Sequence, residues 1–453
     1  MEDWKIAELD FRFHSSYLFV LPRFIMFWQL LYNVFAVPAM FVGFHGAGCC
    51  NPKIQEGIKG RKGVFAELEN QLQAARHLEK TVWFHFTSVG EFEQAKPLIE
   101  AIYEETRIVL TFFSPSVAPN ARSYRYADAA VYLPLDTPRN AERMVRLIEP
   151  ALIVFSKFDI WPNLVWKASK HEIPIIVVAG TLHAESKRLS HFTKPFFRSV
   201  HQYIQVHCAI SESDAARFQE LCSPAHEIVV TGDTRYEQVY RRAHAVEPDT
   251  EFFHGQPSLK RSILIAGSTY AEDEKVLLPA YQLLRQNIPE DFPHLILVPH
   301  EPTPERIKEI RGHLDREKLA HLCFSELEAE VDLSAVDVLI VDRVGLLAKL
   351  YTLADIAFVG GSFRGSVHNV MEPAAMAKPV LFGPTIQNAY EASLLVERGG
   401  AKLVHTAPQL ADAITTWLKD TNASVTAGRI GQELIEENLG AVERTLVHLR
   451  KYV

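Results

Sequence analysis

Short β-branched or aromatic runs at Thr81–Ser88, Arg107–Phe113, Ala129–Leu135, Ala151–Lys157, Ile173–Gly180, Cys208–Ser211 and Glu227–Gly232 predict strands. Helix-like stretches such as Glu91–Glu105 and Asn140–Glu149 lie between them. Strands alternating with helices build βαβ units and a parallel sheet. Such sheets carry their ligands at the carboxyl ends of the strands. The rhythm lapses between about Tyr240 and Arg261, where AHAVEPDTEFFHGQPSLKR is polar, holds two prolines and has no apolar period. That reads as a linker. A second series then runs through Ser262–Ser268, His294–His300, Val338–Arg343, Ile356–Ser362, Lys378–Pro384 and Lys402–Thr406.

The expected fold class is α/β, with two doubly wound Rossmann-like domains at 53–240 and 262–453, a linker at 241–261 and an N-terminal segment at 1–52. Two such domains place a cleft between them. GT-B glycosyltransferases are built this way, and so are some epimerases and binding proteins, so the fold alone leaves function open.

The N-terminal segment has its own pattern. No Asp, Glu, Lys or Arg occurs from Phe24 to Pro52, and Phe24–Phe44 reads FIMFWQLLYNVFAVPAMFVGF. Roughly 20 apolar residues span a bilayer core, so the run is long enough. Gln29, Asn33 and Pro38 interrupt it, which keeps an interfacial helix and a buried core helix as alternatives. Glu2, Asp3, Glu8 and Asp10 precede the run, unlike a cleavable signal peptide. Lys53, Lys59, Arg61 and Lys62 follow it, and the positive-inside rule then makes the remainder cytoplasmic.

Composition changes this picture little. The 453 residues are 48% apolar and 23% charged, with a net charge of −8, so no basic bulk points to nucleic acid. The five scattered cysteines, Cys49, Cys50, Cys208, Cys222 and Cys323, show no disulfide or metal-ligand spacing. No Asp-x-Asp follows a strand and no P-loop pattern is present, so neither a diphosphate-bound metal nor an ATP-driven motor has a candidate. No cofactor is expected.

Candidate chemistry clusters at strand ends. In TSVGE, Thr87–Glu91, Gly90 suits a tight turn after Ser88, and Glu91 opens a helix. Its carboxylate either serves as a general base or merely complements the helix dipole. In KFDIWPN, Lys157 and Asp159 share a face if the strand stays extended; a surface ion pair is the plain alternative. Arg235 in TGDTRYE could hold a carboxylate or phosphate. In the second series, Gly360–Pro384 passes through a glycine-rich turn and is expected to open a helix near His368 and Asn369, with amides fit for phosphate and Glu372 for ribose hydroxyls. PHEPTPER (Pro299–Arg306), DRVGLL (Asp342–Leu347) and GSTYAEDE (Gly267–Glu274, with Ser268 and Thr269) end neighbouring strands.

In this order, SVGE, LPLDTP (Leu133–Pro138), WPN (Trp161–Asn163), SESDAARF (Ser211–Phe218), GDTRYE, GST, FVGGS, HNVMEP and FGP resemble the Kdo (3-deoxy-D-manno-oct-2-ulosonic acid) transferases over nearly the whole chain. These are membrane-anchored GT-B enzymes of lipopolysaccharide synthesis. The resemblance implies transfer of Kdo from CMP-Kdo to a lipid A precursor at the inner membrane, without a metal. It puts the general base on Glu91 and further site roles near Lys157, Asp159 and Arg235. CMP contacts fall on Pro299, His300, Val344, Gly345, Leu346, Asn369, Val370, Met371 and Glu372. The chain departs from the commoner pattern at Lys157, at Pro299–Pro302, where the CMP site lacks an arginine, at Gly345-Leu346, and at Ala179 and Thr181. A transferase using a UDP-sugar and an inactive nucleotide-binding scaffold are the alternatives.

Overall fold

The computed structural model describes residues 25–223, 226–245, 261–327 and 333–453. Residues 1–24, including the four early acidic residues and Phe24, lie outside them, as does 246–260 of the expected linker. The chain forms two compact units, one of residues up to Arg235 together with Gly440–Val453, the other Tyr236–Leu439.

The first unit holds β1 (Thr81–Phe86), β2 (Arg107–Phe112), β3 (Ala129–Tyr132), β4 (Leu152–Ser156), β5 (Ile175–Gly180), β6 (Val206–Ala209) and β7 (Glu227–Val230). They form one parallel sheet in the order β3-β2-β1-β4-β5-β6-β7. Every residue of β1, β4 and β5 is buried, as helices on both faces of a parallel sheet require. The second unit holds β8 (Ile263–Thr269), β9 (His294–Pro299), β10 (His321–Cys323), β11 (Val338–Ile340), β12 (Ile356–Val359), β13 (Val380–Phe382) and β14 (Ala401–Leu403). Its order is β10-β11-β9-β8-β12-β13-β14, again parallel throughout. Strand order therefore reverses beside β1/β4 in one sheet and β8/β12 in the other. Open α/β sheets bind ligands at such switch points.

Three expectations about boundaries are corrected. The helix Arg235–Ala245 runs into the first residues of the expected linker, and its Tyr236 and Val239 join the second unit's core. The second unit ends at Leu439, not at 453. The last helix, Ala441–Leu449, sets Val442, Leu446 and Leu449 into the first unit's core, and Arg444 Nε donates to Thr231 O at 2.9 Å.

The N-terminal apolar run is helical over Ile25–Gly48, long and apolar enough to cross a membrane, with a π-helical turn at Tyr32–Ala36. It is not a buried core helix: Met26, Leu30, Phe35, Phe41 and Val42 are exposed, Val42 by 69%. The same helix contacts the first unit along its length. Trp28 meets Phe196 at 5.9 Å, Tyr32 meets Trp166 at 5.7 Å, and Phe44 meets Phe113 at 5.6 Å. Arg61 is no free flanking charge. Its guanidinium packs over Phe113 at 4.1 Å and donates to the Leu133, Gly57 and Phe113 carbonyls, and burial lowers its pKa to about 10.

Candidate functional site

At the first switch point, β1 runs into the helix Val89–Ile102 through a capping box. Ser88 Oγ accepts from Glu91 N at 3.3 Å, while Glu91 Oε2 accepts from Thr87 N at 2.5 Å and Ser88 N at 3.2 Å. Glu91 is only 5% exposed. Burial pushes its carboxyl above the ordinary range; the Thr87 amide opposes this, Asp159 adds to it, and Lys157 opposes it. The helix-capping role is thus real, and it uses one carboxylate oxygen. Gly90 does not supply a tight turn: it lies inside the helix, and a Cβ there would meet only Ser88 Oγ at 4.0 Å.

β4 ends at Ser156, and Lys157 then takes a left-handed conformation, φ 59°, of the kind found at functional sites. This break removes the shared strand face expected for Lys157 and Asp159. Asp159 turns to β1 instead: its Oδ2 lies 3.2 Å from His85 Nε2 and accepts from Trp161 Nε1 at 3.1 Å and from Thr87 Oγ1. Burial favours the neutral acid, but His85, Thr87 and Trp161 together hold Asp159 below its ordinary pKa. Arg188 donates to Phe158 O at 3.3 Å; burial lowers its pKa while the Asp159 charge opposes that shift. Lys157 Nζ makes no hydrogen bond or ion pair among the described residues. Arg235 pairs with buried Asp233, Nε to Oδ2 2.8 Å, and Asp233 also accepts from Gln94 on the Glu91 helix at 3.0 Å.

At the second switch point β8 and β12 nearly touch. A Cβ on Gly360 would stand 2.5 Å from Ser268 O, so only glycine fits. Ser268 is itself left-handed, φ 53°. Thr269 Oγ1 donates to Glu274 Oε1 at 2.9 Å. Asp273, fully buried, accepts from Gly361 N at 2.8 Å, Phe363 N at 3.3 Å and Tyr270 N at 2.9 Å, fixing the glycine turn. Above it, His300 stacks on His368 at 4.4 Å and meets Tyr270 at 4.9 Å, and Arg364 lies 4.3 Å over the Tyr270 ring. Burial, then the nearby His300, lowers His368 to about 4, so it is neutral near pH 7.

The helix expected near His368 begins only at Met371 and ends at Ala375. Asn369 Oδ1 accepts from Met371 N at 3.1 Å. Glu372, expected to be open to a ribose, has Arg242 NH1 at 3.4 Å from its Oε1. Val344, 79% exposed, Gly345 and Leu346 follow β11. Pro299 ends β9, and His300 N donates to Thr269 O at 3.0 Å.

A metal-capable cluster among the described residues is buried His201, His207 and Cys222. His201 Nδ1 faces His207 Nε2 at 2.9 Å with the rings 16° from parallel, which is an N–H···N hydrogen bond between neutral imidazoles. Burial lowers His201 to about 3. The pair is a satisfied core contact rather than a ligand set.

The 3-deoxy-D-manno-octulosonic-acid transferase (kdotransferase) family matches residues 57–238. The chain is 28% identical over 417 residues to the 3-deoxy-D-manno-octulosonic acid transferase of Haemophilus influenzae, covering 89% of this chain and 93% of that protein. It is 29% identical to the protein of that name from Chlamydophila psittaci, covering 82% and 85%. The chain is thus similar to Kdo transferases over most of its length. A solved UDP-GlcNAc 2-epimerase from Neisseria meningitidis shares the fold, with TM-score 0.56 and 15% identity over 81% of this chain and 98% of that one. That likeness supports the GT-B architecture alone.

The structure gathers Ser88, Gly90, Glu91, Lys157 and Asp159 at one switch point. It places the residues after β8, β9, β11 and β12 along one carboxyl edge of the other sheet. The motifs read from the sequence did not single out His85 or Arg188, and they held Thr87, Trp161, Tyr270, Asp273 and Arg364 without giving them a role. Only Asp273 left a local sign, as an acidic residue in the first turn of the helix Ala271–Asn287.

Proposed function

We propose that this chain transfers Kdo from CMP-Kdo to a lipid A precursor at the cytoplasmic face of the inner membrane, without a metal and with inversion. The observation that carries the reading is Glu91. Two backbone amides fix Oε2, Oε1 has no hydrogen-bond partner among the described residues, and burial raises its proton affinity. A base so tuned takes the acceptor hydroxyl proton as the new O–C bond forms and the bond to CMP breaks; general-base help is worth about 10²–10⁴-fold. Lys157 is the cation available for the sugar's carboxylate, and the left-handed turn that carries it holds it at the strand end. In the second unit the flat surface of His300, His368 and Tyr270 suits a nucleobase, and Arg364 suits its phosphate. Val344–Leu346 and Asn369–Glu372 are the further donor contacts. Arg235, held by Asp233, supports the Glu91 helix.

Membrane attachment through the exposed apolar side of Ile25–Gly48 brings the enzyme to a lipid acceptor. Because that helix contacts the first unit from Trp28 to Phe44, about 25 Å at 1.5 Å per residue, it lies on the surface of the bilayer rather than crossing it. The test is mass spectrometry of a tetra-acylated lipid A precursor incubated with CMP-Kdo or with UDP-N-acetylglucosamine. A Kdo adduct from CMP-Kdo only is expected. An adduct from the UDP-sugar, or none from either, would overturn the proposal.

A further inference from the structure

Gln29 and Asn33 are odd residues for a helix whose task is to enter lipid, and the structure shows what the polar positions do. Asn33 forms a reciprocal amide pair with Asn163: Asn33 Nδ2 donates to Asn163 Oδ1 at 3.1 Å and Asn163 Nδ2 to Asn33 Oδ1 at 2.8 Å. Asn33 Nδ2 also donates to Gln29 O at 2.9 Å. The neighbouring Tyr32, 8% exposed, donates its hydroxyl to Asp136 Oδ2 at 3.0 Å. The π-helical turn begins at this pair of residues; such turns are frequent at functional sites.

Asp136 is not an incidental partner. The helix Pro162–Lys170 has no side-chain cap of its own, and Pro162 at its first position has no N–H. Its first free amides, Asn163 N and Leu164 N, donate to Asp136 Oδ2 and Oδ1 at 2.9 and 3.2 Å. A carboxylate from the LPLDTP loop thus caps the WPN helix from outside, where the helix dipole favours negative charge. Asn163 Nδ2 adds a bond to Asp136 O at 2.7 Å. Directly before this helix stand Trp161, stacked on Phe113 at 5.1 Å, and Asp159, whose carboxylate meets Thr87 in front of Glu91.

We infer that Tyr32 and Asn33 of the membrane-facing helix are positioning residues for the reaction: by holding Asp136 and Asn163 they fix the turn that presents Trp161 and Asp159 beside Glu91. The apolar outer side of the helix meets lipid and its polar inner positions meet the site's support, so one element joins membrane attachment to site geometry. The inference deepens the transferase reading and rests on it for the catalytic readout only.

The test uses the full chain and the double variant Tyr32→Phe/Asn33→Leu, which keeps the helix and its apolar surface. Three measurements are made: binding to phosphatidylethanolamine–phosphatidylglycerol vesicles, turnover of CMP-Kdo on an acyl-free, water-soluble glucosamine disaccharide phosphate, and hydrogen–deuterium exchange. The inference predicts unchanged vesicle binding, faster exchange of amides 157–164 with the Val89–Ile102 helix unaffected, and a kcat lowered about tenfold, as small misplacements of a reacting group can cause, with KM for the donor within about twofold. Turnover and exchange like wild type, with or without loss of vesicle binding, would overturn it and leave the helix an anchor alone. Should the variant prove poorly folded, Tyr32→Phe alone must still speed exchange at Asn163 and Leu164, and failure to do so overturns the inference. A wild type that transfers nothing while the variant shows faster exchange would overturn the reaction and keep the mechanical link.

Discussion

The two switch points are built alike and furnished differently. Both sit where strand order reverses in a seven-stranded parallel sheet, and both carry a left-handed non-glycine residue at a strand end, Lys157 in one and Ser268 in the other. Around β1 and β4 the fixed groups are carboxylates, Glu91 and Asp159, held by amides, hydroxyl, imidazole and indole. Around β8, β9 and β12 the groups at the surface are aromatic rings and the Arg364 cation, and the buried carboxylate, Asp273, is turned inward to hold the glycine turn. On the proposed function, the same scaffold serves proton removal at one switch point and nucleotide binding at the other, and the difference lies in a few strand-end side chains.

The strongest way to break this contrast is Glu91→Gln. The amide oxygen can still accept from Thr87 and Ser88, so Tm should stay near wild type, while kcat falls about 10²–10⁴-fold; a calorimetric scan beside a turnover assay checks both. Next comes the other end. His300→Ala removes one face of the ring stack and should weaken CMP binding about tenfold, in line with about 1–3 kcal/mol for base stacking, with no change at the first unit. Isothermal titration with CMP reads this directly, and undiminished affinity would remove His300 from the site.

A third prediction concerns pH. Burial raises Asp136 from 3.8 to about 6 despite bonds from Asn163, Tyr32 and Leu164. A folded-state pKa above the unfolded one means the native state binds more protons between those values. The contribution of Asp136 is therefore fully present below about pH 4 and is lost as pH rises through about 6. Chemical denaturation from pH 4 to 7 should show this falling component in wild type and lack it in Asp136→Asn. The smallest effect is expected for Gly90→Ala. The new methyl meets nothing closer than Ser88 Oγ at 4.0 Å, and alanine suits a helix better than glycine, so stability should rise by about 0.5–1 kcal/mol. A fall in turnover without a fall in Tm would then mark the open space beside Gly90 as occupied by substrate.

Period and turn chemistry made both sheets legible, because their buried strands are short apolar runs bounded by turn residues. β10 escaped because its three residues, His321–Cys323, have no β-branched residue among them and only Cys323 is buried. The ends of the two units escaped because the return of the last helix to the first core depends on packing more than two hundred residues away in sequence, as in the Arg444–Thr231 contact. The family motifs marked Glu91 and the strand ends, but not what each group touches. Lys157 and Asp159 looked like neighbours on a strand until a left-handed residue separated them. Arg61 looked like a flanking charge until tertiary contacts buried it. The partners of Asp136 and Asn163 lie 104 and 130 residues away, and no local pattern announces them.

The central claim is that Glu91 performs the chemistry while the second unit holds the donor. The most direct measurement gives wild type and Glu91→Gln the same CMP-Kdo and tetra-acylated lipid A precursor, and records product mass and CMP affinity together. The account predicts Kdo adducts from wild type, at least a hundredfold fewer from Glu91→Gln, and equal CMP affinity in both. Equal product from both proteins, or CMP affinity that disappears with the Glu91 carboxylate, would contradict it.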